Sequence, residues 1–513
     1  MDFFLTSNSV VLLGLLYAIA AIGSFVLDRA GVGEKAAGNW AHGFALAGSL
    51  TGLAIAGTTL VTGIGSSSIL PVTPLLSFAI RIDILAAVFL GIISLVGACA
   101  SAFGIAYQKH FIGHYRLGTF GFFYATFLGS LSFVVLANNG VFFLFLWEIM
   151  SLASYFLVAY EHRSVENTRA GFLYLVMTHI GTAFIICAFV LAYMVAGSFD
   201  FSAWRGVLPA APFAIQTLIF ACALIGFGTK AGIVPLHIWL PEAHPAAASH
   251  VSALMSGVMI KTAIFMLIRF FFDFLPVAPF QWGLLLMVLG GISAVLGILY
   301  ALAASDIKRF LAYSSIENVG IIFLGLGASV VFLSLKIQNF ALVALAAALF
   351  HTVNHAIFKS LLFLGAGSVV SATGTRNMDE LGGLIKLMPY TAVFFLIGSL
   401  AVSALPPLNG FASEWLTFQV LFAGLNYTNL WVQGTFIFAA ACLVPPPGQA
   451  RIGQGAGVGD QRDEEAVHGQ SVRQRRGDGQ PSRCLPDRGR SWQRLATAGG
   501  DDGGPDRAQG PPP

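Results

Sequence analysis

Long apolar runs alternate with short polar links as far as about residue 443. They fall at 9–27, 41–64, 82–106, 118–137, 140–160, 171–196, 213–233, 249–272, 282–303, 310–327 and 339–370. A further run at 388–405 has a second piece at 409–424, and a stub follows at 430–443. A helix crossing a ~30 Å hydrocarbon core needs about 20 apolar residues, and most runs reach or approach that length. The pattern predicts an all-α polytopic membrane protein with about 13 transmembrane helices. Met1-Asp2-Phe3-Phe4 offers neither a basic n-region nor a small-residue cleavage site, so the first run reads as a retained helix.

The links carry the charges. With the N-terminus outside, the odd-numbered links hold Arg29, Lys35, Lys109, Arg116, Arg163, Arg169, Lys308, Arg309, Arg376 and Lys386. The even-numbered links and their flanks hold only Arg81, Arg205, Arg269 and Lys336. Ten basic residues against four support this helix count and an N-out orientation. Two runs are broken. Lys230 lies between Gly228 and Gly232 just ahead of Pro235, and Pro406-Pro407-Leu408-Asn409-Gly410 interrupts the twelfth. Broken backbone survives in a bilayer only where protein covers it or it lines a cavity. Breaks five helices apart suggest inverted repeats of helices 4–8 and 9–13, although two simple proline kinks would give the same pattern. The expected divisions are 1–117 (helices 1–3), 118–272 (first half-channel), 273–443 (second half-channel) and 444–513.

Overall composition, 57% hydrophobic and 10% charged, excludes an ordinary soluble domain, which carries roughly 25% charged residues. It averages two unlike regions. Residues 444–513 contain ten arginines, nine acids, 14 glycines and nine prolines, with no lysine and no phenylalanine. Such a segment cannot bury enough apolar surface to offset its ordering entropy, so a disordered tail is expected. Its makeup resembles a GC-rich reading frame shifted inside the thirteenth helix; the alternative is a genuine disordered extension. Five cysteines show no CxxC or disulfide pattern, and there is no phosphate-binding glycine loop, nucleotide motif or catalytic triad.

Chemistry enters through charges inside the runs. Lys230, Lys261 and Lys359 each interrupt an apolar stretch, and a charge at mid-bilayer costs at least ~2.5–3.5 kcal/mol. Unlike arginine, a buried lysine can release its proton near neutral pH. Glu148 is the expected partner of Lys230; a static ion pair that fixes packing is the rival reading. Lys261 lies near mid-membrane, where snorkelling would be difficult. His351, His355 and Lys359 step by four along one helix face, a spacing suited to a proton relay. A metal site of the HExxH type is excluded by Thr352, while a hydrogen-bonded packing role stays open. Glu414, after the second break, is a terminal donor or acceptor. His179 and Glu317 are evenly balanced against structural roles. His237, Glu242, His244 and His250 crowd the link between helices 7 and 8, which can be a solvated loop.

Gly228-Thr229-Lys230 through Trp239-Leu240-Pro241-Glu242-Ala243-His244, Val251-Ser252-Ala253-Leu254-Met255, Ser305 through Ser314, and Phe350-His351 through Phe363 resemble the antiporter-like subunits. These belong to respiratory complex I, multisubunit cation/proton antiporters and membrane-bound hydrogenases. Trp147-Glu148-Ile149-Met150 through Val158 and Pro241-Glu242-Ala243-His244-Pro245 resemble in particular the hydrogenase-4/formate hydrogenlyase branch. The resemblance covers about residues 80–425. It implies a 14-helix core with two inverted five-helix half-channels. Glu148 and Lys230 would form the first pair, Lys261 the central relay, His351, His355 and Lys359 the second channel, and Glu414 the exit group. It further implies an inner-membrane subunit without cofactor or metal of its own, moving protons alongside other membrane and hydrophilic subunits of a redox complex. A multisubunit Na⁺/H⁺ antiporter subunit and an inactive truncated product are the alternatives. No nucleic-acid partner is expected.

Overall fold

In the computed structural model, the structure describes residues 7–71, 77–276, 278–425 and 429–443. The expectations for residues 444–513 lie outside the described residues. Some helices start at a capping side chain, as at Asp83, Asn139, Ser164 and Asp306, and some stop at a left-handed glycine, as at Gly63, Gly197, Gly232 and Gly374. α1 (Ser7–Arg29) packs on α2 (Glu34–Thr62), which ends at Gly63 with a left-handed φ of 67°. An antiparallel hairpin follows, β1 (Ser66–Pro71) and β2 (Ser77–Ile82), with Ser66 opposite Ile82. This strand pair is a local addition to a helical fold; strands of six residues in a Ser- and Pro-containing stretch leave no trace in a pattern of long apolar runs.

α3 (Ile84–Tyr107) is capped by Asp83, which accepts from the Ala86 N–H at 3.0 Å. α4 (Leu117–Val134) leads to α5 (Gly140–Val158), whose first N–H groups donate to Asn139. α6 (Val165–Ala196) and the short α7 (Phe201–Val207) precede α8 (Phe213–Ala231). Residues 233–239 are irregular, then α9 (Leu240–Ala246) forms. α10 (Ser249–Leu254) and α11 (Ile260–Ile268) belong to one span, Ser249–Phe274, interrupted by π-helical turns at Met255–Met259 and Arg269–Phe274. α12 (Phe280–Ala303), α13 (Ile307–Ser334) and α14 (Gln338–Thr373) follow. After the short α15 (Leu384–Leu387), α16 (Pro389–Val402) and α17 (Asn409–Gly424) form the expected two-piece helix, and α18 (Leu430–Cys442) occupies the stub. Among the described residues, eleven helices are long and apolar enough to cross a membrane; α16 and α18 are shorter apolar helices.

The Ser249–Phe274 span and α13 are the most enclosed of these, and the other helices pack around them. α12 and α13 meet backbone to backbone along a glycine seam. A Cβ on Gly290 would stand 2.7 Å from the Gly320 carbonyl oxygen, and one on Gly283 would stand 2.6 Å from that of Gly327. Seven-residue steps keep these glycines on nearly one face, which permits the close approach. Ion pairs mark both ends of the bundle. At one end Arg269 bonds Asp83 at 2.5 Å and Asp273 at 2.8 Å, and Arg205 meets Asp273 at 3.2 Å. At the other, Arg309 bonds Glu242 at 2.9 Å and Arg376 meets Asp306 at 3.2 Å, around an open cleft of about 440 Å³.

Candidate functional site

Lys230 occupies the last turn of α8 and is 2% exposed. Its Nζ donates to Ser151 Oγ at 3.0 Å and to Tyr174 OH at 2.8 Å. The ammonium also lies 5.0 Å from the Tyr174 ring centroid and 5.7 Å from that of Trp147, within cation–π range. Tyr174 OH shares a further bond with Ser154 at 2.6 Å. The direct Lys230–Glu148 ion pair expected from the sequence does not form. Glu148 lies one turn before Ser151 and contacts His179 on α6 at 3.4 Å, while its Oε1 is buried without a protein partner among the described residues. The two remain electrostatic neighbours.

The break beside Lys230 is covered by polar partners. Gly232 (φ 80°) closes α8 by donating to the Gly228 carbonyl at 2.9 Å. The Trp239 indole donates to Thr229 O at 2.8 Å, and the Val234 N–H donates to Ser293 Oγ at 3.0 Å. Backbone groups that the broken ladder would strand are thereby satisfied.

Lys261 and Lys359 are both fully buried, so Lys261 does not snorkel. Lys261 Nζ donates to the Ser256 carbonyl at 2.5 Å, within the π-helical turn that precedes it. Such turns recur at functional sites. The Ser256 and Ser315 hydroxyls share a bond of 2.8 Å, and Lys359 Nζ donates to the adjacent Ser314. Two serines on α13 therefore stand between the two ammonium groups. From the Lys230 side, Tyr174 OH reaches Met259 Sδ at 3.5 Å, two positions before Lys261.

His351 and His355 are fully buried on α14 with ring centroids 6.4 Å apart. His351 Nδ1 meets Ser413 Oγ at 3.0 Å, whereas His351 Nε2 and both nitrogens of His355 have no protein partner among the described residues. A buried polar atom left unpaired costs ~1–3 kcal/mol. Asn354 ties α14 to the second break: its amide donates to Asn409 O at 2.8 Å and to Ser413 Oγ at 3.1 Å. Glu414, half-buried on α17, is an electrostatic neighbour of Glu317 on α13, which in turn neighbours Lys359.

The reading of the link after helix 7 as a solvated loop needs correction. His244 and His250 are fully buried in α9 and α10, and Glu242 is half-buried against Arg309. The His244 ring stacks 5.1 Å from Phe363, and neither of its nitrogens has a protein partner among the described residues. Pro241 and Pro245 sit within α9.

Residues 137–440 match the family described as NADH:quinone oxidoreductase/Mrp antiporter, TM. The chain belongs to this family. Within it, hydrogenase-4 component B of Escherichia coli (strain K12) is 46% identical over 346 residues, 67% of this chain and 51% of that protein. Formate hydrogenlyase subunit 3 of the same organism is 36% identical over 391 residues, 76% of this chain and 61% of that protein. The chain thus spans about half the length of the curated relatives it matches. The Mrp complex from Dietzia sp. DQ12-45-1b contains a chain that superposes with a TM-score of 0.71 at 27% identity, covering 87% of this chain and 47% of that one. This protein is accordingly a multi-pass membrane member of the antiporter-like family.

Proposed function

We propose that this chain is a proton-translocating membrane subunit of a hydrogenase-4/formate hydrogenlyase-like or NADH–quinone oxidoreductase-like complex, driven by redox chemistry in partner subunits. The observation that carries the reading is the set of three buried lysines: hydroxyl groups hold Lys230 and Lys359, and Lys261 bonds the carbonyl of Ser256, whose hydroxyl meets Ser315 next to Ser314. Among the described residues, Glu148 Oε1, His351 Nε2 and both nitrogens of His355 are buried without a protein partner. A buried lysine, unlike arginine, can release its proton near neutral pH, which suits a group that passes protons on. In this reading Glu148 and Lys230 load the first half (118–272), and Lys261 is the central relay. His351, His355, Lys359 and Glu414 complete the second half (273–443), behind helices 1–3 (1–117). The N-terminus faces outward from the inner (plasma) membrane.

Similarity to the Mrp complex favours one rival, a cation/proton antiporter subunit in which Na⁺ is exchanged for protons. Everted membrane vesicles carrying the assembled complex separate the two. Acidification driven by the redox substrate without Na⁺, and lost in Lys230→Met and Lys359→Met, supports the proposal. Acidification that needs a Na⁺ gradient and no redox substrate assigns the chain to the antiporter reading.

A further inference from the structure

The two lysines that close the series are held in the same way. Lys230 bonds Ser151 of α5, and Glu148 lies one helical turn from that serine. Lys359 bonds Ser314 of α13, and Glu317 lies one helical turn from that serine on the same face. Both carboxylates thus belong to the helix that supplies the lysine's hydroxyl partner, five transmembrane segments apart. Glu317 is 8% exposed. Its backbone is pressed against α12, where a Cβ on Gly297 would stand 2.5 Å from the Glu317 N. Gly297 therefore presents no side chain that could push Glu317 out of line. The electrostatic neighbours of Glu317 include Lys359 of α14 and Glu414 of α17; Glu242 of α9 is engaged with Arg309 near the start of α13.

We propose that Glu317 is a further proton-carrying residue, an acid standing between Lys359 and Glu414 in the second half of the path. This rests on the proton-translocation reading above. The Lys359 ammonium passes a proton to the Glu317 carboxylate, leaving a neutral amine and a carboxylic acid. That acid then gives its proton to the Glu414 carboxylate and returns to its ionised form.

The test uses the assembled complex in everted vesicles and compares Glu317→Gln, Glu317→Asp and Lys359→Met. Glu317→Gln keeps the shape of the side chain and should lower redox-driven acidification by about 100-fold while electron transfer continues, with Glu317→Asp restoring part of it. Infrared difference spectra of the wild-type complex, taken between resting and turning-over states, should contain a carboxylic C=O band that Glu317→Gln removes. Normal acidification by Glu317→Gln while Lys359→Met is inactive overturns the Glu317 assignment alone. Normal acidification by Lys359→Met overturns the translocation reading itself. Should Glu317→Gln not assemble, Glu317→Asp carries the test: a carboxylic band unmoved by that change overturns the proposal.

Discussion

Replacing Lys230 with methionine separates stability from coupling. The new side chain keeps an unbranched stem and removes the charged head that lies over the Trp147 and Tyr174 rings. Two bonds are lost, but unequally: Tyr174 OH retains Ser154 at 2.6 Å, whereas the buried Ser151 hydroxyl loses Lys230, its side-chain partner. One stranded hydroxyl costs ~1–3 kcal/mol. Against this, removing a buried ion abolishes a desolvation penalty of several kcal/mol that two neutral partners offset only in part. The terms oppose each other, so Lys230→Met should assemble with a stability change within about 2 kcal/mol of the parent. Its redox-driven acidification in everted vesicles should nevertheless fall to background. Thermal unfolding of the purified complex and dye-quench acidification read the two quantities separately. A variant that pumps at the parental rate refutes the role of Lys230, and one that fails to assemble refutes the energetic reasoning.

Three further outcomes follow from particular contacts. Gly320→Leu places a Cβ 2.5 Å from the Gly290 carbonyl oxygen and 2.6 Å from Ala294 N, so α12 and α13 must separate at a cost of ~1–3 kcal/mol or more; Gly206→Ala, with nothing within 4 Å, should leave the thermal midpoint unchanged. Asp83→Asn should destabilise the bundle by ~1–3 kcal/mol by weakening the charge-assisted bond to Arg269, measured by thermal unfolding. Burial pushes the Asp83 carboxyl up, but the Arg269 bond and charge, the Ala86 N–H and Arg81 outweigh it and hold it below the usual carboxylate range. That contribution is therefore fully present above the unfolded-state value of about 3.9 and disappears as pH falls through the lower folded value, so the penalty of Asp83→Asn should shrink in acid.

The helices were legible because a bilayer demands long apolar runs, and even the two breaks could be seen from Gly228 to Pro235 and at Pro406-Pro407. The interior lysines were visible for the same reason: a charge in such a run has no solvent to meet. Their partners were hidden. Ser151, Tyr174 and Ser314 look like ordinary hydroxyl residues of membrane helices, many of which simply bond the carbonyl one turn back, as Thr58 does with Ala54. Only the packing of α5, α6 and α13 distinguishes them. That Glu148 reaches His179 directly and Lys230 only as an electrostatic neighbour was hidden, because sequence gives depth in the membrane but not which neighbour a side chain turns toward. The strand pair Ser66–Pro71 and Ser77–Ile82 and the burial of His244 and His250 have no periodic signature.

The most direct test of the central claim is the redox-driven proton gradient of the reconstituted complex carrying Lys261→Arg. Arginine keeps a positive charge beside the Ser256 carbonyl but effectively never releases its proton. If Lys261 carries protons, electron transfer should continue while the gradient collapses. A gradient equal to that of the parent would make Lys261 a fixed counter-charge and contradict the account.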